Sequence, residues 1–192
     1  MSLRPLLFKH CVYYPVVAYK AGDIRVPLRA LLQSERQPRE NLLEQRLVRL
    51  QSLLDHAARY VPLFQEKLGS DRAPLLNDPA DLSGVPLLSK QEIQAHADRC
   101  RSTEPLGKLI SKTTGGSTGE PVTIYNTRSA WLWELAATWR GYARAGVEIG
   151  EPQARFWGVP LQGGARRQAR LTDLICHRYR CSAFAFDEAD LA

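Results

Sequence analysis

Leu109-Ile110-Ser111, then Lys112-Thr113-Thr114-Gly115-Gly116-Ser117-Thr118-Gly119-Glu120-Pro121, then Val122-Thr123-Ile124-Tyr125, carries the sharpest local pattern in the chain. Its outer parts are β-like runs. Its middle concentrates small, flexible and hydroxylic residues, so it reads as strand, loop, strand. Three glycines in five positions let the backbone take φ > 0 and bring its N–H groups close to a ligand. Thr113, Thr114, Ser117 and Thr118 add hydroxyl donors. A nest of N–H and O–H donors suits a polyphosphate. Pro121 returns the chain to an extended path. The loop is not a Walker A loop, because Gly119 is followed by Glu120-Pro121 and a strand rather than by Lys-Ser/Thr and a helix. Nor is it a dinucleotide fingerprint, because the spacing is Gly-Gly-x-x-Gly. The same residues also fit a glycine-rich hairpin turn that holds no ligand.

Outward from the loop, the order becomes strand, loop, strand, helix, strand, helix, strand, which is an α/β pattern. Asn126-Thr127-Arg128-Ser129 suits a helix start. Leu132, Leu135, Ala136, Trp139, Tyr142 and Ala143 then mark one helical face, and Gly146 stands at its C′ position. Trp139 lies on that stripe and is expected in the core, whereas Trp131 and Trp133 do not share its face. Arg140 and Arg144 are one turn apart and within reach of an anion, although exposed arginines are the commoner case. Gly150-Glu151-Pro152 is a turn. Ala154 to Val159 reads as a buried strand. Gly163-Gly164 opens a basic helix around Leu171, Leu174 and Ile175, whose N-terminus suits a phosphate. Cys181 to Phe186 reads as a last strand, followed by a helix-like start at Glu188 and Asp190.

Upstream of the loop the pattern is helical. Residues 1–38 read as short helices or an arm, with breaks at Pro15, Gly22 and Pro27. After Pro38, Leu43, Leu47, Leu50, Leu54 and Ala57 form one apolar stripe, and Asp55 and Arg59 are placed to pair at i, i+4. Pro62 ends this helix near Tyr60-Val61. His56 and Tyr60 read as packing or surface residues. A short helix and a turn-rich loop cover 63–80, with turn signals at Gly69-Ser70-Asp71 and Asn77-Asp78-Pro79. Ser89 and Glu92 make a capping box for a helix running to Asp98, and Lys90 in its first turn faces solvent or an anion.

Composition narrows the class. A chain of 192 residues buries roughly 70% of its unfolded surface, enough for one or two ordinary cores. The net charge of +6 and pI near 9.3 favour polyanions in general. The densest basic group is Arg166-Arg167-Gln168-Ala169-Arg170 with Arg178 and Arg180. It reads as a solvated helix face, and no nucleic-acid motif accompanies it. Cys11, Cys100, Cys176 and Cys181 are too scattered for a disulfide framework and read as buried free thiols. Cys176-His177 with Cys181 lacks further ligands for a zinc site. Leu6-Leu7-Phe8 is interrupted by Lys9-His10, and the run from Cys11 to Tyr19 contains Pro15. Neither spans a bilayer or forms a signal peptide, which points to the cytoplasm.

Thr114-Gly115-Gly116-Ser117-Thr118-Gly119-Glu120-Pro121 resembles the phosphate-binding loop of the adenylate-forming superfamily. Its flanks resemble the phenylacetate–CoA ligase branch, which includes CapK-like capsular polysaccharide proteins and coenzyme F390 synthetases. Two further stretches are similar to that branch: Leu53-Leu54-Asp55-His56-Ala57-Ala58-Arg59-Tyr60-Val61-Pro62-Leu63-Phe64, and Leu82-Ser83-Gly84-Val85-Pro86-Leu87-Leu88-Ser89-Lys90-Gln91-Glu92-Ile93. The similarity runs from about Tyr13 to the end. It implies a protein more than twice this length, so the chain looks like the N-terminal part of a ligase. The implied fold is α/β. A helical lead-in over 1–105 packs on the body, an incomplete α/β segment over 106–192 carries the phosphate loop, and the small C-terminal domain is absent.

The resemblance also implies the chemistry. A small-molecule carboxylic acid attacks the α-phosphorus of Mg-ATP, giving an acyl-adenylate and pyrophosphate, and CoA then displaces AMP to give a thioester. Thr114, Gly115, Gly116, Ser117, Thr118 and Gly119 would hold the β- and γ-phosphates. Two positions depart from the superfamily pattern. Val122 stands where many members carry lysine, which this branch often lacks, and Gly115 stands where serine is common. The adenine-binding segment, the ribose-binding aspartate, the acidic residue near the metal, the hinge and the C-terminal lysine would all lie beyond Ala192. Two other readings remain: a non-catalytic relative serving polysaccharide assembly, and a basic interaction protein with an ordinary glycine turn.

Overall fold

Pro15 does not break the N-terminal helical run, and a local change of winding explains why. The computed structural model of the chain describes residues 3–114, 121–157 and 164–182. It begins with α1 (Leu3–Phe8), a π-helical turn (Lys9–Tyr13) and α2 (Tyr14–Ala21). The Tyr14 N–H donates to the Lys9 carbonyl, so the widened turn comes just ahead of the proline. Proline lacks the N–H and its ring clashes with the carbonyl four residues back. A wide turn at that point relieves both demands. Pro27 falls in the first turn of α3 (Arg25–Ser34), where the N–H has no partner within the helix. Of the three expected breaks only Gly22 is one, at φ +115°.

The chain divides into two compact units, Met1–Leu31 with Leu132–Ala192, and Leu32–Trp131. This grouping differs from the 1–105 and 106–192 division read from sequence. The reason lies in the apolar residues of the first helices. Tyr13, Val17 and Ile24 share one buried cluster with Leu132, Ala136, Trp139 and Ile149.

In the first unit, α7 (Arg128–Arg144) supplies the expected stripe. Leu132, Ala136 and Trp139 are buried, Leu135 and Tyr142 pack against them, and Ala143 is exposed. Trp139 meets Tyr13 edge to face, with centroids 5.6 Å apart, and its indole N–H donates to the Tyr13 hydroxyl. Burial raises the Tyr13 phenol above its ordinary pKa. Gly146 closes α7 at φ +79°. Gly146 N–H donates to Ala143 at 3.0 Å and Val147 N–H to Tyr142 at 3.0 Å, which together form a Schellman motif.

β3 (Gln153–Trp157), α8 (Gly164–Ile175) and β4 (Arg178–Ser182) follow, with β3 and β4 parallel from Gln153↔Arg178 to Trp157↔Ser182. β3 is not the buried strand expected. Its described side chains alternate between half-buried and exposed, and Phe156 is 55% exposed, because β4 is its only strand neighbour among the described residues. β4 begins at Arg178, earlier than expected. Residues 158–163 and 183–192, with Gly163, Phe184, Phe186, Glu188 and Asp190, lie outside the described residues.

In the second unit, α4 (Arg39–Tyr60) buries Leu54 and Ala58. They cluster with Phe64 and Leu76, flanked by Leu47, Leu50 and Ala57. The stripe holds except at its first member, Leu43, which is exposed. Asp55 does not pair with Arg59; it accepts from Gln51 Nε2 at 3.0 Å. α4 ends at Val61, and Pro62 opens α5 (Pro62–Leu68), which Gly69 closes in the left-handed region. α6 (Lys90–Ala95) carries the full Ser89–Glu92 capping box but stops before the expected Asp98. All four cysteines are free, but only Cys181 is buried; Cys100 and Cys176 are half-buried and Cys11 is exposed. No helix among the described residues is long and apolar enough to cross a membrane.

Gly150 is the most constrained glycine among those described. It sits at φ +101°, and a Cβ there would overlap the Pro5 carbonyl oxygen. Gly150→Ala should lower stability by at least about 2 kcal/mol, from left-handed strain plus that overlap. Gly141, within α7 and open to solvent, meets nothing within 4 Å, so Gly141→Ala should raise stability by about 0.5–1 kcal/mol. Thermal unfolding of the two variants beside the parent checks both.

Candidate functional site

Strand pairing brings the two ends of the glycine-rich stretch together. β1 (Ile110–Thr113) and β2 (Thr123–Asn126) are antiparallel, in register from Ile110↔Asn126 to Thr113↔Thr123. One residue beyond the strands the pairing continues. Thr114 N–H donates to the Val122 carbonyl at 2.9 Å, and Val122 N–H donates to the Thr114 hydroxyl oxygen at 2.9 Å. The Thr113 and Thr123 hydroxyls meet at 3.0 Å. The two expected strands are therefore present and paired, with Thr114 one residue beyond β1. Its bond from Val122 occupies a lone pair of the hydroxyl and leaves the proton for another acceptor. Gly115, Gly116, Ser117, Thr118 and Gly119, with Glu120, lie outside the described residues.

The hairpin's base is held from several directions within its own unit. Gln94 Nε2 on α6 donates to the Pro121 carbonyl at 3.4 Å. The Arg101 guanidinium lies over the Tyr125 ring at 3.8 Å, a cation–π contact. Upstream of β1, Thr103 N–H donates to the Tyr60 carbonyl at 2.7 Å, and its hydroxyl donates to the same oxygen at 3.1 Å. His56 Nδ1 stands 3.4 Å from Glu104, with the Tyr60 ring 5.1 Å from the imidazole. His56 and Tyr60, read from sequence as packing or surface residues, thus secure the segment that leads to the hairpin. Gln94 and Arg101 gave no sequence signal; each acts across a long stretch of chain.

α6 is fixed in turn by charge. Glu92 accepts from Ser89 N–H and Oγ, both at 2.7 Å, and from Lys67 Nζ. Lys67 first, then the Ser89 donors, holds the Glu92 carboxyl down at about 2.

Other candidates fall elsewhere. Lys90 opens α6, and Gly164 opens α8. His177 is occupied by Gly150, whose carbonyl lies 2.7 Å from Nδ1, and by Phe8, stacked at 4.7 Å. Arg180 is bound bidentately by Asp173, at 2.9 Å twice. No three His, Cys, Asp or Glu side chains gather around a metal-sized point among the described residues. No family model matches the sequence, and no curated protein matches it.

Two outcomes follow. Thr114→Val removes the acceptor of the Val122 N–H, so exchange of that amide should quicken by about tenfold, the equivalent of one net hydrogen bond, while Thr114→Ser should leave it unchanged. Hydrogen exchange read by NMR decides. Glu92, whose carboxyl sits below its ordinary 4.5, stabilises the fold fully above that value and loses the contribution as pH falls through about 2. The gap in melting temperature between parent and Glu92→Gln should therefore be constant near neutrality and close between these two pH values.

Proposed function

We propose that this chain carries the phosphate-binding part of an AMP-forming carboxylic acid–CoA ligase, of the phenylacetate–CoA ligase type. The observation that carries the reading is the hairpin whose mouth is closed by the reciprocal Thr114–Val122 bonds. The closure sets a donor-rich, glycine-rich loop between two fixed ends. The ordered upstream stretches around Leu53–Phe64 and Leu82–Ile93 support the same family.

In this reading a carboxylate oxygen attacks the α-phosphorus of ATP. The bond from that phosphorus to the bridging oxygen breaks, and pyrophosphate leaves. The CoA sulfur then attacks the acyl carbon and AMP leaves, giving the thioester. The first step is a displacement at phosphorus, so the protein's part is positioning and charge stabilisation. Backbone N–H groups at Gly115, Gly116 and Gly119 and hydroxyls of Thr114, Ser117 and Thr118 donate to the departing β- and γ-phosphates. Such bonds to a charged acceptor are worth about 1.5–3 kcal/mol each. No general base is needed, because the attacking carboxylate is ionised at neutral pH. The described residues offer no cluster of three His, Cys, Asp or Glu side chains for the Mg²⁺ that accompanies ATP. ATP and CoA as substrates fit a cytoplasmic setting.

Calorimetric titration of the chain with ATP tests the reading. Gly116→Pro and Thr118→Val should each weaken ATP binding by about ten- to a hundredfold, the equivalent of one charged hydrogen bond. ATP affinity equal to the parent's in both variants would remove the loop assignment and leave the ordinary glycine turn.

A further inference from the structure

The N-terminal helical run is apolar on two opposite faces, and one of them is uncovered. Tyr13 and Val17 face inward, into the cluster around Trp139. On the other side Leu3, Leu7, Cys11, Pro15 and Tyr19 recur at every fourth residue, and all five are exposed. Leu3 is 69% and Tyr19 90% exposed. Steps of four drift round an α-helix by about 40° each. The π turn at Lys9–Tyr13 spends more residues per turn and cancels much of that drift. The five side chains therefore form one row, roughly 24 Å long at a rise of about 1.5 Å per residue. A helix apolar all round is ordinarily buried all round, and a contiguous exposed apolar surface marks a docking face.

Charge says what docks there. The first carboxylate side chain in the sequence is Asp23, so the charged side chains of α1, the π turn and α2 are Arg4, Lys9 and Lys20. Lys9 is turned inward to Glu148, at 3.6 Å. Arg4 and Lys20 are exposed, beside Leu3 and Tyr19 at the two ends of the row. The partner must therefore be apolar and anionic at once. A second copy of this chain fits badly, because pairing two such rows brings cations to cations. A bilayer with anionic headgroups meets both demands. It takes apolar side chains at the acyl boundary, aromatic rings at headgroup level, and lysine or arginine among the phosphates. No helix among the described residues is long and apolar enough to cross it, so the run would lie on the surface.

We propose that α1 and α2 form a peripheral membrane-docking face, seated in the interface of a bilayer that carries anionic lipid. Leu3, Leu7 and Tyr19 insert, and Arg4 and Lys20 hold headgroup phosphates. The proposal does not rest on the phosphate-loop reading, and either can fail alone.

Flotation of the chain with phosphatidylcholine vesicles, with and without about one-third phosphatidylglycerol, is the test. Binding to the anionic vesicles is expected, weaker by about tenfold or more for the neutral ones, the equivalent of two cations near the surface. Leu3→Glu and Tyr19→Glu should each weaken it by about tenfold or more, with the melting temperature unchanged because neither side chain is in the core. Val48→Glu, at a residue 64% exposed on α4 of the second unit, should bind like the parent. An environment-sensitive fluorophore on Cys11, the exposed thiol within the row, should shift to the blue on anionic vesicles, a readout independent of how the variants fold. No binding to anionic vesicles, equal binding to neutral ones, parental binding by both row variants, or an unmoved Cys11 label would each overturn the proposal. So would a dimer that Tyr19→Glu dissociates, which would give the row to a second copy of the chain.

Discussion

The edge-to-face contact of Trp139 with Tyr13 is the interaction on which the first unit depends. It places two large rings in the middle of one apolar cluster and satisfies the indole N–H inside it. A buried indole or phenol without a partner would cost more than its apolar area returns. Here the Tyr13 hydroxyl oxygen accepts from the indole N–H, and the surrounding Val17, Ile24, Leu132 and Ala136 remain purely apolar. Losing the Trp139 side chain would forfeit about 3–5 kcal/mol, a large share of the stability of an ordinary domain. The Schellman closure of α7 at Gly146 and the tight seat of Gly150 against Pro5 come later in the same stretch of chain.

The second unit solves a different problem. Its hairpin has mostly exposed strands, and an isolated hairpin is marginal in water. It is held instead at its base, by the reciprocal Thr114–Val122 bonds, by Arg101 on Tyr125 and by Gln94 on Pro121. These contacts fix Thr114, Pro121 and Val122, the described residues that flank the glycine-rich stretch.

What was legible in the sequence is what is decided locally. The Ser89–Glu92 box, the stop at Pro62, the C′ glycine at position 146 and the α7 stripe each rest on residues within a turn or two of one another. The hairpin was legible for the same reason. Pro15 misled because its cost is normally fatal to a helix, and the π turn that relieves it has no residue signature. Asp55 and Arg59 had the spacing of an ion pair, but Gln51 reached the carboxylate first. The expected burial of β3 failed because apolar content says nothing about how many neighbours a strand has. The grouping of the N-terminal helices with residues beyond 131 was invisible for a deeper reason: it depends on contacts such as Tyr13–Trp139 that no local window contains. At the hairpin, the pairing of β1 with β2 could be read in advance, whereas the contacts from Gln94 and Arg101 could not.

The first unit is made of two stretches of chain, and the second is spliced between them. Synthesis runs from the amino end, so about the first thirty residues leave the ribosome with their apolar side chains and no α7 to cover them. The intervening hundred or so residues are completed next and contain a full set of their own buried contacts. Tyr13 must wait for Trp139 throughout that interval. The nascent protein thus carries an exposed apolar helix pair for several seconds at ordinary elongation rates of roughly 5–20 residues per second. Until Trp139 is made, Tyr13, Val17 and Ile24 lack the helix that completes their cluster.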